Sequence, residues 1–194
     1  MRARRHRVSL VRCFVAVDVE DPAIVSKVAA VQQQLEAAGA KLKLVELENL
    51  HLTLRFIGEI PRELAERVME ALRGVEFAPF TVRFVGLGAF PNPRRPRVIW
   101  VGVEEGAREL SELSEKVNSA LAKLKLPKPD EEFTPHLTVA RVKSGVGSLP
   151  RIIEEGRSLE FGSMLVDRIR LKKSTLTSRG PIYETLLEVR ARGV

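Results

Sequence analysis

The feature that most constrains this chain is a tetrapeptide that occurs twice. His51-Leu52-Thr53-Leu54 and His136-Leu137-Thr138-Val139 share the pattern His-x-Thr-x, with an apolar residue at each x. The chain holds three histidines, so two of them fall within this pattern. Each copy lies in a short, β-favouring apolar run, which is the alternation of a half-buried strand. Successive side chains of a strand point to opposite faces. His51 and Thr53 therefore share one face, Leu52 and Leu54 share the other, and the second copy sorts identically. One face suits a core and the other suits chemistry, and the two polar faces are expected to meet across a cleft.

The 194 residues are enough for one large domain or two small lobes. A hydrophobic content of 44% beside 29% charged residues describes a globular chain rather than a disordered one. No apolar run approaches the roughly 20 residues of a membrane span. No signal core separates the basic start, Met1-Arg-Ala-Arg-Arg-His-Arg, from Asp18, which argues against secretion. The lone Cys13 rules out an internal disulfide and suits a reducing cytoplasm; its alternation with Val11, Val15 and Val17 marks it as core filler. The net charge of +7 favours a polyanionic partner, and abundant Arg, Lys and Glu give a thermophile-like composition.

Residues 1–10 are basic and lack periodicity, which predicts a solvated tail; His6 lies there and takes no catalytic role. Residues 11–194 are expected to form one domain. Val11 to Val19 reads as a first strand. Asp21-Pro22 caps a helix running to about Gly39. A short strand is expected over Lys43 to Glu46, a turn at Glu48-Asn49, and a strand from His51 to Ile57 ended by Gly58. Pro61 opens a helix that closes near Gly74. Strands follow over Phe80 to Val85 and Arg97 to Val103, with a Gly-, Pro- and Arg-rich loop between them. A helix spans about Ala107 to Leu124, and the second His-Thr strand spans His136 to Val142. A short helix over Leu149 to Glu155 precedes closing strands at Leu159 to Lys172, Ser174 to Ser178 and Tyr183 to Arg190. The same strand and helix vocabulary recurs, with His136 placed 85 positions after His51. This predicts a duplicated α+β unit with mostly antiparallel sheets.

Imidazole is the side chain whose ordinary pKa, about 6.5, makes both protonation states accessible near neutrality. Two imidazoles on opposite sides of a phosphorus can divide the work of an in-line displacement. One takes a proton from attacking water and the other delivers one to the leaving oxygen. Threonine hydroxyls on the same faces can hold the non-bridging phosphate oxygens. Three other readings compete. Histidines in strands are often merely hydrogen-bonded, which a matched pair argues against. Catalytic zinc needs three protein ligands, and the chain has no third histidine near the pair, no HExxH and no cysteine cluster. A serine hydrolase would show a GxSxG elbow, which is absent. No P-loop or GxGxxG calls for a nucleotide cofactor, and no cofactor is expected.

With these segments in view, the chain resembles the 2H phosphoesterase superfamily and, within it, the RNA 2′,3′-cyclic phosphodiesterases, also called 2′-5′ RNA ligase-like proteins. The resemblance is carried by VRCFVAVD, ENLHLTLRFIGEI, GLGAFPNPRRPRVIWVGV, FTPHLTVAR and STLTSRGPIYETL. It implies a bilobed α+β fold with the catalytic cleft between the lobes, and metal-independent opening of a terminal 2′,3′-cyclic phosphate to a 2′-phosphate. It implies His51 as proton donor, His136 as proton acceptor, and Thr53, Thr138 and Arg141 as phosphate-binding residues. RNA ends, tRNA halves among them, are the implied partners, and reversible ATP-independent 2′-5′ ligation is an implied further activity. A monomer in the cytoplasm is expected. Strict alternation puts Arg141 on the face opposite His136, so a bulge or strand end is needed to bring it to the cleft. By the same alternation Arg55 falls on the His51 face, as a lesser candidate. Phe14 and Phe56 are open between packing and stacking a base, and Tyr183 is equally open. Proteins of this pattern tend to start at the Arg-x-Phe segment, so initiation at Val11 is a further expectation. Two readings stand beside the leading one: hydrolysis of a small cyclic nucleotide or an ADP-ribose cyclic phosphate, and RNA-end binding without turnover.

Overall fold

The structure is a computed structural model that describes residues 9–129 and 132–193. His6 and most of the basic tail lie outside the described residues. The chain begins with strand β1, Leu10–Asp18, and helix α1, Pro22–Glu36. Asp21 caps α1 by accepting from the backbone N–H groups of Ala23 and Ile24 at 3.0 and 3.1 Å, and Pro22, which has no N–H to satisfy, takes the first helical position. Strand β2, Lys41–Leu44, a single 3₁₀ turn over Leu47–Asn49 and strand β3, His51–Pro61, come next. Helix α2 (Arg62–Leu72), strands β4 (Phe80–Phe90) and β5 (Val98–Val103), and helix α3 (Ala107–Leu121) follow. The chain closes with β6 (His136–Ser144), α4 (Leu149–Glu155), β7 (Glu160–Val166), β8 (Arg168–Thr177) and β9 (Gly180–Arg190).

These elements form the two antiparallel sheets and two lobes expected of an α+β fold. One sheet has the order β3-β1-β8-β9 and the other β2-β6-β5-β4-β7. Helices α2 and α3 pack on the first sheet, and α1 and α4 on the second. The run β1-α1-β3-α2 is repeated by β5-α3-β6-α4, and in each run the first helix crosses to the opposite lobe. The two lobes are thus interlaced, and their apolar faces, including Val17, Leu52, Ile99 and Leu137, belong to one buried core.

Several boundaries differ from the sequence reading: β2 covers Lys41–Leu44 rather than Lys43 to Glu46, and three further differences are larger. β3 does not end at Gly58: this glycine adopts φ +88°, a conformation open to a residue without a Cβ, and the strand continues to Pro61. β4 runs on to Phe90 through the stretch expected to be a loop, absorbing a register shift between Phe84 and Leu87. The single strand expected over Leu159 to Lys172 is two strands in two sheets. β7 pairs with β4, whereas β8 pairs with β1 and β9. At the crossing, the Asp167 carbonyl accepts from the Ala191 N–H at 2.7 Å, and its carboxylate is gripped by both arms of the Arg168 guanidinium.

Candidate active site

β3 and β6 bring the two His-x-Thr faces to a cleft of about 510 Å³ that His51, Thr53, His136, Thr138 and Arg141 all line. The two histidines are held alike. The Nδ1–H of His51 donates to the carbonyl of Asn49 at 2.7 Å, and that of His136 to the carbonyl of Thr134 at 2.6 Å. A carbonyl only accepts, so Nδ1 carries the proton in each ring, and Nε2 is left to serve the cleft. In both cases the anchor lies two residues upstream, in the segment that leads into the strand.

The surroundings of the rings differ. His51 packs against Phe14 and Tyr183, with centroid separations of 4.9 and 5.5 Å. Burial in this aromatic corner is the largest influence on His51 and lowers its pKa below the usual 6.5. The Asn49 carbonyl and the Asp18 carboxylate oppose that shift, and the charges of Lys172 and Arg141 reinforce it. His136 meets the edge of Phe90 at 5.0 Å, with Trp100 further off at 6.5 Å. Burial also raises the pKa of the Tyr183 phenol.

A pair of β-bulges decides which other side chains reach the cleft. In β3, Thr53 pairs with Ala16 and Arg55 with Val15, so Leu54 is the extra residue. In β6, Thr138 pairs with Trp100 and Ala140 with Ile99, so Val139 is the extra residue. An inserted residue reverses the alternation beyond it. Past the bulge Arg141 therefore faces the cleft with His136 and Thr138, and this is the bulge that the alternation required. The same device overturns the reading of Arg55. Its side chain is turned into the protein, 7% exposed, and its Nη2 donates to the Pro127 carbonyl. Phe56 takes the cleft position instead.

Each bulge is secured by a buried polar side chain from the helix that packs on its sheet. Ser114 Oγ of α3 donates to the Leu54 carbonyl at 2.9 Å. Gln32 Nε2 of α1 donates to the carbonyls of Val139 and Val45 at 3.0 and 2.8 Å. These contacts account for two polar residues, Gln32 at 6% and Ser114 at 1% exposed, inside an apolar core.

The sequence reading missed several residues that border the cleft. Lys43 stands directly opposite Arg141 in the β2–β6 ladder. Two like charges in that position repel one another, and an anion between them would relieve the repulsion. Arg12 lies over the Phe56 ring, 4.8 Å from its centroid. The β8–β9 hairpin closes one end of the cleft, where Asn49 Nδ2 donates to the Pro181 carbonyl at 3.2 Å. Behind His51, Asp18 accepts from Lys172 at 2.8 Å and is also paired with Arg170. The signal for Asp18 was its parity with Phe14 and Ala16 in β1; nothing in the sequence tied Lys43 to Arg141. Among the described residues, no group of three or more His, Cys, Asp or Glu is placed to hold a metal ion.

A two-lobed α+β protein with a His-x-Thr face from each lobe on a shared cleft is of the 2H phosphoesterase class. The comparisons narrow this. The family model described as LigT-like phosphoesterase matches residues 17–100 and 101–183, and each match contains one copy of the motif. An RNA 2′,3′-cyclic phosphodiesterase of Aeropyrum pernix is 43% identical over 171 residues, covering 87% of this chain and 97% of that protein. One from Archaeoglobus fulgidus is 46% identical over 175 residues, covering 90% and 97%. A solved structure from Thermus thermophilus superposes with a TM-score of 0.80 at 30% identity, covering 94% of this chain and 98% of that one. The chain belongs to the LigT-like phosphoesterase family, and it is an enzyme. No helix among the described residues is long and apolar enough to cross a membrane.

Proposed function

We propose that the protein hydrolyses RNA 2′,3′-cyclic phosphate ends to 2′-phosphomonoesters by paired-histidine acid–base catalysis without a metal. The observation that carries the reading is the matched pair of imidazoles on one cleft, each with its Nδ1–H tied to a carbonyl two residues upstream. Water attacks phosphorus and gives its proton to Nε2 of His136. The bond from phosphorus to the 3′ oxygen breaks, and the departing oxygen takes a proton from Nε2 of His51. Thr53, Thr138 and Arg141 hold the non-bridging oxygens, and charge-assisted contacts of the arginine kind are roughly twice as strong as neutral ones. The relatives in Aeropyrum pernix and Archaeoglobus fulgidus, named RNA 2′,3′-cyclic phosphodiesterases, support the substrate.

The direction of proton flow is the point on which the histidines differ. Burial favours neutral His51, whereas donation needs its charged form. A bound phosphate anion beside the ring supplies the opposing charge. By microscopic reversibility the same groups support ATP-independent 2′-5′ joining of RNA ends, tRNA halves included. We read residues 11–194 as one bilobed domain that follows a basic tail and acts as a cytoplasmic monomer. The test is incubation with RNA ending in a 2′,3′-cyclic phosphate in EDTA, followed by location of the product phosphate. A 2′-phosphate is expected; no turnover, or turnover that EDTA abolishes, would overturn the reading.

A further inference from the structure

We infer that Trp100 and Phe90, on the His136 side of the cleft, form a subsite for the nucleotide whose 5′-hydroxyl replaces water in the joining reaction. The arginine-rich loop between β4 and β5 serves the phosphate of that nucleotide. The ligand is thus the 5′-hydroxyl end of a second RNA strand. The inference rests on the proposed cyclic-phosphate chemistry and extends it to the second substrate.

The register of the second sheet puts both rings on its cleft face. Trp100 stands opposite Thr138, and Gly88 stands opposite Trp100. Residues directly opposite in a ladder share a face, and Phe90, two positions beyond Gly88, shares it too. The indole takes the space that a side chain on Gly88 would fill. Its Nε1–H is buried and meets no acceptor among the described residues. A buried indole ordinarily finds one, so the ring is placed by the glycine beneath it and not by its own polar atom. Both rings remain partly exposed, with centroids 5.2 Å apart. The other lobe treats the same position differently: the partner of Thr53 is Ala16, which is fully buried. The space beside the threonine is closed on the His51 side and is an aromatic surface on the His136 side.

The direction of proton flow gives that difference a use. In joining, the 5′ oxygen attacks phosphorus and its proton passes to Nε2 of His136. The bond from phosphorus to the 3′ oxygen breaks, and that oxygen takes a proton from His51. The products are a 2′-5′ diester and a 3′-hydroxyl, with no further reactant. The incoming nucleotide therefore needs a surface beside His136. Phe90 meets that imidazole at 5.0 Å and Trp100 lies 6.5 Å from it, so a hydroxyl bonded to His136 leaves its own base, one ribose away, over these rings. Stacking is sequence-tolerant because every base has a π face.

The loop that follows Phe90 supplies the charge. Asn92 Oδ1 accepts from the backbone N–H groups of Arg94 and Arg95 at 3.1 and 3.0 Å. The Arg97 N–H donates to the Phe90 carbonyl at 2.8 Å, which fixes the loop against the aromatic pair. Arg83, Arg108 and Arg151 lie against carboxylates. Among the described residues, the exposed Arg94, Arg95 and Arg97 have no such partner. The first phosphate of an incoming strand lies on the far side of its 5′-terminal nucleoside, where this loop begins, and a phosphate is the group such cations bind.

The test mixes an RNA ending in a 2′,3′-cyclic phosphate with an excess of a 5′-hydroxyl RNA and reads the ratio of joined to hydrolysed product. It compares wild type, Trp100→Leu, Trp100→Phe and the double variant Arg94→Ala with Arg95→Ala. Hydrolysis in the same reaction reports that each variant is folded, and the double variant, on an exposed loop, carries the test if Trp100→Leu loses the fold. The ratio is expected to fall about five- to 140-fold in Trp100→Leu, the range for one lost base stack, and to stay near wild type in Trp100→Phe. The double variant should lower the ratio with the RNA acceptor but not with adenosine, which brings the hydroxyl and base without a phosphate. A ratio unmoved in Trp100→Leu would overturn the aromatic subsite, and one unmoved in the double variant would overturn the share of the loop. A wild type that hydrolyses the RNA and joins nothing would overturn the subsite alone. One inert in both reactions would overturn the proposed activity with it.

Discussion

Lys172 holds its ammonium 2.8 Å from both carboxylate oxygens of Asp18, while Asp18 pairs with His51 across the β1–β3 ladder. The carboxylate that Asp18 presents to His51 is therefore already paired with a cation. Asp18 raises the His51 pKa, Lys172 and Arg141 lower it, and burial makes the net shift downward. A donor must be protonated, so the alkaline limb of kcat/KM against pH falls below the ordinary imidazole position. Lys172→Met removes a charge that lowers the pKa and leaves Asp18 less compensated. Both effects raise the His51 pKa, and the limb is expected to move to higher pH. A limb that stays in place or moves to lower pH would remove His51 from the donor role.

Each histidine is expected to contribute as a proton-transfer group. His51→Ala and His136→Ala should each lower kcat by about 10²–10⁴-fold in EDTA, with the circular dichroism spectrum unchanged. The double variant should fall far short of the product of the two losses, because the groups act as a unit. A loss of less than threefold in either single variant would count against the mechanism.

The bulge carbonyls make a structural prediction with a functional readout. Gln32→Leu removes the amide donor to the part-buried Val45 carbonyl and one of the two donors to the Val139 carbonyl, which keeps the Val45 N–H at 3.0 Å, at a cost of about 1–3 kcal/mol in urea unfolding. The relaxed bulge displaces Arg141, so KM for the cyclic phosphate should rise along with the loss of stability. Ser114→Ala acts on the other bulge, at Leu54. It should cost a similar amount of stability and bear on the His51 strand rather than on Arg141. Stability unchanged in both variants would show that the bulges do not depend on these side chains.

Cys13 should be chemically silent in the folded protein. It is fully buried, and burial pushes its thiol up to about 11. At pH 8 the thiolate is scarce and inaccessible. A colorimetric thiol reagent should give no reaction in buffer and one equivalent in denaturant; rapid labelling of the native protein would contradict the burial.

The parts of the fold legible in the sequence are those written in local periods. His51 and Thr53 on one face, Leu52 and Leu54 on the other, follow from the two-residue repeat of a strand, and the α1 start follows from Asp21-Pro22. What strict alternation cannot carry is an inserted residue, because a bulge is set by what the helix above the sheet offers to its carbonyl. Without Ser114 over Leu54 and Gln32 over Val139 in view, Arg55 reads as a cleft residue and Arg141 as a problem. The split of the chain at Asp167 is hidden for a similar reason: β7 and β8 are consecutive with Asp167 alone between them, and the partners that separate them, β4 and β1, lie far away in sequence. Lys43 was silent because its significance lies in Arg141 across the ladder, and Lys172 because its significance lies in an ion pair with Asp18, 154 positions away in the chain.

The matched bulges have a consequence for how two copies of a unit come to do different things. Each half carries the same one-residue slip at the same distance from its histidine, so both present a side chain at an equivalent point on the cleft wall. Changing what stands there requires no rebuilding of either lobe, since the strand's path is held from behind by a helix and not by the side chain itself. Arginine at 141 and phenylalanine at 56 are two fillings of one socket. A duplicated scaffold of this kind can be retuned one residue at a time, with the chemistry at the histidines left in place while the grip on the rest of the substrate changes.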